Sequence, residues 1–147
     1  MEKSVGFEWE AYMHDLFHMN EVDPSVYSPL TLAYIGDSVY DLIIKTLVVN
    51  GGNKQVQKLH KQTSGLVQAS AQSRLMRIIQ GHLSPEELTI FKRGRNSKAV
   101  TPAKNQSITD YRRATGFEAL IGYLYLSKDW KRILDLVKMG LDGMEEN

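Results

Sequence analysis

The chain has 147 residues, a formal net charge of +1, 42% hydrophobic residues and 24% charged residues, an ordinary composition for one soluble globular domain. It has no cysteine, which excludes a disulfide framework, a cysteine nucleophile and a thiolate zinc site, and suits a reducing compartment such as the cytoplasm. No apolar run approaches about 18 residues, so no transmembrane helix is predicted, and the acidic opening MEKSVGFEWE lacks the layout of a secretion signal.

The pattern reads as helices throughout. Phe7, Trp9, Tyr12, Met13, Leu16 and Phe17 follow the helical period and predict a first helix over about 7–19. Ser28-Pro29 is a helix start, with serine as N-cap and proline in the first turn. The helix it opens runs over about 30–49 and closes at Gly51-Gly52. It is apolar almost all round, which predicts a place in the middle of the domain. A broken helical stretch follows over about 54–80. Ser84-Pro85-Glu86-Glu87 is a capping box that opens a helix to about Lys92. Residues 93–107, RGRNSKAVTPAKNQS, read as a basic loop. A second largely apolar helix spans about 109–126, and an amphipathic helix about 129–141 precedes a short frayed C-terminus. The expected fold class is all-α, one domain over 1–147 with its core at about 28–140.

The near-zero net charge hides a segregation. Residues 45–113 carry thirteen Lys or Arg and three acids (Glu86, Glu87 and Asp110); the remainder carries five bases and fourteen acids. A basic middle between acidic ends is a footprint for a polyanion, or a set of charges that interleave on the folded surface.

Two acids break the local pattern. Asp37 lies within IGDSV and Glu118 within GFEALIGYLYL, each inside an otherwise apolar helix. A carboxylate there is costly unless it is paired, hydrogen-bonded or bound to a metal. Gly36, Gly116 and Gly122 allow the two helices to approach closely, and a crossing near Gly36 and Gly116 would bring Asp37 and Glu118 together. Two converging carboxylates without histidine or cysteine suit a hard cation such as Mg²⁺. Asp41, one turn beyond Asp37, reads as a solvated or salt-bridged acid. Thr115, three residues before Glu118, offers a hydroxyl that either orients a water at the site or bonds back to its own helix. His14 and His18 are four apart but lack a third ligand, and read as a solvated pair.

LAYIGDSVYDL at 32–42 resembles the signature helix of the ribonuclease III catalytic domain, and GFEALIGYLYL at 116–126 resembles its second metal-ligand helix. With KRGRNSK at 92–98 between them and no room for a separate double-stranded-RNA-binding domain, the order resembles the Mini-III branch of that family. The resemblance covers about 28–140. It implies an all-α homodimer that binds double-stranded RNA in a valley between subunits. It also implies Mg²⁺-dependent cleavage at Asp37 and Glu118, leaving 5′-phosphate and 3′-hydroxyl ends. Its expected substrate is a stem of 23S ribosomal RNA precursor, with a ribosomal protein as a possible helper. Full-length ribonuclease III proteins carry a glutamate where this chain has Ala33 and an aspartate where it has Thr115. This chain keeps two of the four usual carboxylates, as Mini-III proteins do.

RNA contact is expected from the basic stretch 92–113, chiefly Arg93, Arg95, Asn96, Lys98, Lys104, Arg112 and Arg113. A-form RNA hides its base edges, so the recognition is of shape and backbone. The competing function is a non-catalytic RNA-binding protein on the same scaffold.

Overall fold

The computed structural model describes residues 8–97 and 107–146. Those residues form seven α-helices and two 3-10 turns, with no strand among them. The helices are α1 (Trp9–Leu16), α2 (Pro29–Asn50), α3 (Val56–Val67), α4 (Ala69–Ile79), α5 (Pro85–Arg95), α6 (Ile108–Leu126) and α7 (Trp130–Glu145). The 3-10 turns lie at Pro24–Val26 and Gln80–His82. None of the described helices is long and apolar enough to cross a membrane.

The caps form as the sequence demands. Ser28 Oγ accepts from Thr31 N at 3.2 Å, and Pro29 occupies the first turn, where its missing N–H costs nothing. At Ser84 both halves of the capping box are present: Glu87 N donates to Ser84 Oγ at 3.2 Å and Ser84 N donates to Glu87 Oε1 at 2.8 Å. The stretch read as broken divides at Gln68, whose extended backbone (φ −66°, ψ 157°) ends α3 and caps α4.

The centre of the bundle is α6, packed against α2, α4, α5 and α7. Phe117, Leu120 and Ile121 of α6 are fully buried with Tyr40 and Ile44 of α2, Leu75, Met76 and Ile79 of α4, Phe91 of α5, and Ile133 and Leu136 of α7. Each such side chain contributes about 2 kcal/mol by leaving water. Tyr40 and Phe117 meet edge to face, with ring centroids 5.0 Å apart.

Several expectations are corrected. The first helix is shorter than 7–19 and buries no side chain; Trp9 stacks against Tyr125 at a 6.1 Å centroid distance. The central helix is α6, not α2. One side of α2 is an exposed apolar stripe of Leu30, Tyr34, Leu42 and Val49, with Tyr34 79% exposed. Arg93, Gly94 and Arg95 belong to the last turn of α5 rather than to a loop, because Gly94 seats that turn against Gly116 and Ala119 of α6. The C-terminus stays helical to Glu145, since Gly140 and Gly143 let α7 lie close against Leu75 and Ile78 of α4. Residues 142–145, expected to fray, are therefore the last turn of α7.

Candidate active site

Backbone contact between α2 and α6 builds the site. A Cβ on Gly36 would collide with the Glu118 carbonyl and lie 2.7 Å from Gly122 N, while one on Gly122 would collide with the Leu32 carbonyl. Only glycine allows this approach. The crossing is thus Gly36 on Gly122, not Gly36 on Gly116; Gly116 instead lies against Phe91 of α5. The consequence expected for the acids still holds. The residue after Gly36 is Asp37, and the carbonyl that Gly36 meets is that of Glu118, so the two carboxyl groups lie close enough for Asp37 to act on Glu118.

Asp37 is exposed and Glu118 is partly buried, so the pair opens to solvent on one side. Among the described residues, neither forms an ion pair with a lysine, arginine or histidine. Burial pushes the Glu118 carboxyl up to about 8, and the hydrogen bond and negative charge of Asp37 push the same way. One interaction opposes them: Gln72 Nε2 donates to Glu118 Oε2 at 3.2 Å. The same nitrogen donates to Val67 O at 2.8 Å, a carbonyl released where α3 ends. Tyr40 Oη takes the neighbouring free carbonyl, Leu66 O, at 2.9 Å.

Gln72 is absent from the sequence-based site. Its signal was its register: Gln72, Leu75, Met76 and Ile79 share the buried face of α4, so a polar side chain occupies a core position.

The other site residues fall into groups. Thr115 is 7% exposed, and its hydroxyl donates to Tyr111 O at 3.0 Å, the back-bonded arrangement. Asp41 pairs with Lys45 at 3.0 Å. His14 is half-buried on α1 and His18 is exposed just after it, and no group of three metal-ligating side chains occurs among the described residues. Arg93 donates to Ser25 O and Tyr27 O, both at 3.4 Å. Arg95 lies 5.6 Å from the centroid of Phe91 and donates to Asn96 Oδ1 at 3.2 Å. Arg112 is exposed, whereas Arg113 turns inward to Ser73 Oγ at 2.8 Å and lies 3.9 Å from Asp110. Lys98 and Lys104 lie outside the described residues. The end of α5 that carries Arg95 packs on α6 at residues 115–119, level with Glu118.

An all-oxygen pair with no cationic side chain beside it among the described residues fits a hard divalent cation, which would displace the proton that burial and Asp37 favour on Glu118. Two carboxylates leave further coordination positions to water, the arrangement Mg²⁺ favours.

Comparison with known proteins gives the family of the chain. Residues 30–129 match the family model of the ribonuclease III domain. A Mini-ribonuclease 3 of Clostridium tetani is 50% identical over 82% of this chain and 80% of its own length. That of Brevibacillus brevis is 43% identical over 84% and 92%. A crystal structure of a Fusobacterium nucleatum protein superposes with a TM-score of 0.75 at 30% identity, covering 84% of this chain and 99% of that one. The chain belongs to the ribonuclease III family, in its Mini-ribonuclease 3 branch, and is an endoribonuclease.

Proposed function

We propose that the protein cleaves double-stranded RNA with Mg²⁺ held by Asp37 and Glu118, leaving 5′-phosphate and 3′-hydroxyl ends. The observation that carries this reading is the approach of an exposed and a partly buried carboxyl group with no cationic partner among the described residues. A pair built for stability would set a cation beside the acid; here one carboxyl faces another. Mg²⁺, when bound, supplies the charge that activates water and offsets the phosphate oxygens. The chain holds the rest in place. The Gly36–Gly122 contact fixes the separation of the two carboxyl groups, and Gln72 fixes one oxygen of Glu118. Thr115, buried and bonded to its own helix, keeps α6 packed beside Glu118.

The RNA backbone runs over the basic end of α5 and the start of α6. Arg93, Arg95, Asn96 and Arg112 contribute there, with Lys98 and Lys104 from the intervening segment; Arg113 adds charge while braced on Ser73. The exposed stripe of Leu30, Tyr34, Leu42 and Val49 supports pairing with a second copy along α2, the helix that carries Asp37. A homodimer would place two carboxylate pairs along one duplex. The substrate we infer is a stem of 23S ribosomal RNA precursor, processed in the cytoplasm, with a ribosomal protein as a possible helper.

Incubation of a short RNA duplex with the protein in Mg²⁺ or in chelator tests the reading. Cleavage of both strands in Mg²⁺ and none in chelator is expected. Tight, salt-dependent binding without cleavage would favour the non-catalytic alternative. Alanine at Arg93, Arg95 and Lys98 together should weaken binding and flatten its salt dependence by about two to three ions; an unchanged slope would remove this segment from the RNA path.

A further inference from the structure

We propose that Gln72 is a positioning residue for Glu118: it holds one carboxylate oxygen by a neutral hydrogen bond so that the other is presented to the divalent cation. The inference rests on the cation reading above and adds to it a residue that touches neither RNA nor metal.

Three observations converge on Gln72. It is 2% exposed, on the face of α4 that otherwise supplies Leu75, Met76 and Ile79 to the core. A leucine or methionine would suit that register better. Both of its amide contacts are made by Nε2, to Val67 O at 2.8 Å and Glu118 Oε2 at 3.2 Å. Two acceptors on that side fix the amide orientation, because a flipped amide would set oxygen against oxygen at both. Its Oε1, by contrast, is buried without a protein partner among the described residues. A native core seldom tolerates an unsatisfied carbonyl, and where it does the residue is kept for something else it supplies. Here that is the donor aimed at Glu118.

The chemistry favours an amide over a cation. A lysine or arginine at 72 would also hold Glu118, but its charge would compete with a divalent ion for the same carboxylate. An amide orients the group and leaves the charge of the pair available. Val67 O matters for the same reason: it anchors the amide from the break between α3 and α4, so Gln72 cannot swing away from Glu118. Removal of a partner that orients a metal ligand typically costs ten- to a hundredfold in metal affinity or activity.

The test is Mn²⁺ titration of the full chain by calorimetry, with duplex RNA kinetics in parallel, on wild type, Gln72→Met and Asp37→Asn. Methionine fills nearly the same volume and donates no hydrogen bond. Gln72→Met should keep its helical circular dichroism and its KM for RNA, while its Mn²⁺ dissociation constant rises and its kcat falls, each by about tenfold or more. If the methionine variant does not fold, Gln72→Asn, one methylene too short to reach Glu118, carries the same expectation. A folded variant with wild-type Mn²⁺ affinity and kcat overturns the role of Gln72 alone. Wild-type protein that shows no Mn²⁺ binding dependent on Asp37 overturns the cation reading and this proposal together.

Discussion

Glu87 and Glu118 sit on neighbouring packed helices and have opposite surroundings. Glu87 receives Arg132 Nε and an Arg132 terminal nitrogen, both at 2.8 Å, and the same guanidinium donates to His82 O at 2.9 Å. That forked pair holds the Glu87 carboxyl below its ordinary 4.5. Glu118 faces a second carboxyl and an amide, and its pKa is pushed up to about 8. The first arrangement ties α5 to α7 and stabilises the fold. The second sets one carboxyl against another where α2 crosses α6. An acid held without a cation beside one held by an arginine is the contrast on which the proposed cation site rests.

The sharpest way to break this contrast is to neutralise each acid in turn. Asp37→Asn and Glu118→Gln should each lower the rate of duplex cleavage by about a thousandfold or more. Both should melt in chelator at or above the wild-type temperature, because the repulsion is gone. A variant that cleaves at the wild-type rate removes its residue from the mechanism. Gly36→Ala attacks the crossing itself. Its methyl group would meet the Glu118 carbonyl, so a loss of about 3 kcal/mol in urea unfolding is expected, together with lost cleavage. Unaltered stability would mean that α2 and α6 are not held in this contact.

Arg132→Met probes the other acid. It leaves Glu87 nearly buried without its cation, which should cost about 2 kcal/mol and lower the melting temperature by about 4–8 °C. Cleavage per folded molecule should not change. A specific loss of activity in this variant would erase the distinction between the two glutamates. The smallest effect is in acid. The Glu87 pKa is lower in the folded chain than in the unfolded one, so its stabilisation is present above about pH 4.5 and fades as pH falls below that value. The stability gap between wild type and Glu87→Gln should therefore close on acidification, and a gap that widens would contradict the assignment.

Much of this was legible in the sequence because local rules determine it. Ser28-Pro29 and the Ser84–Glu87 box start α2 and α5 where capping chemistry requires. Asp37 and Glu118 stood out because each violated an apolar helix. What escaped is set by contacts distant in sequence. Gly116 and Gly122 look alike in the chain, and only packing shows that Gly122 meets α2 while Gly116 meets Phe91. The end of α5 looked like loop because Gly94 is a poor helix former; tertiary contact with α6 overrides that propensity. The apolar ring of α2 resembled that of a central helix, since hydrophobicity does not distinguish a core face from an exposed one such as Tyr34 presents. Gln72 and the Glu87–Arg132 pair are ordinary residues until the partner 46 or 45 positions away is known.

The most direct measurement is anomalous diffraction from a crystal soaked in Mn²⁺ at a concentration that supports cleavage. A peak between the Asp37 and Glu118 carboxyl groups, about 2.0–2.3 Å from an oxygen of each, is the predicted result. A cleaving protein with no peak at that position, or with its metal held by other side chains, would contradict the assignment of these two acids as the catalytic centre.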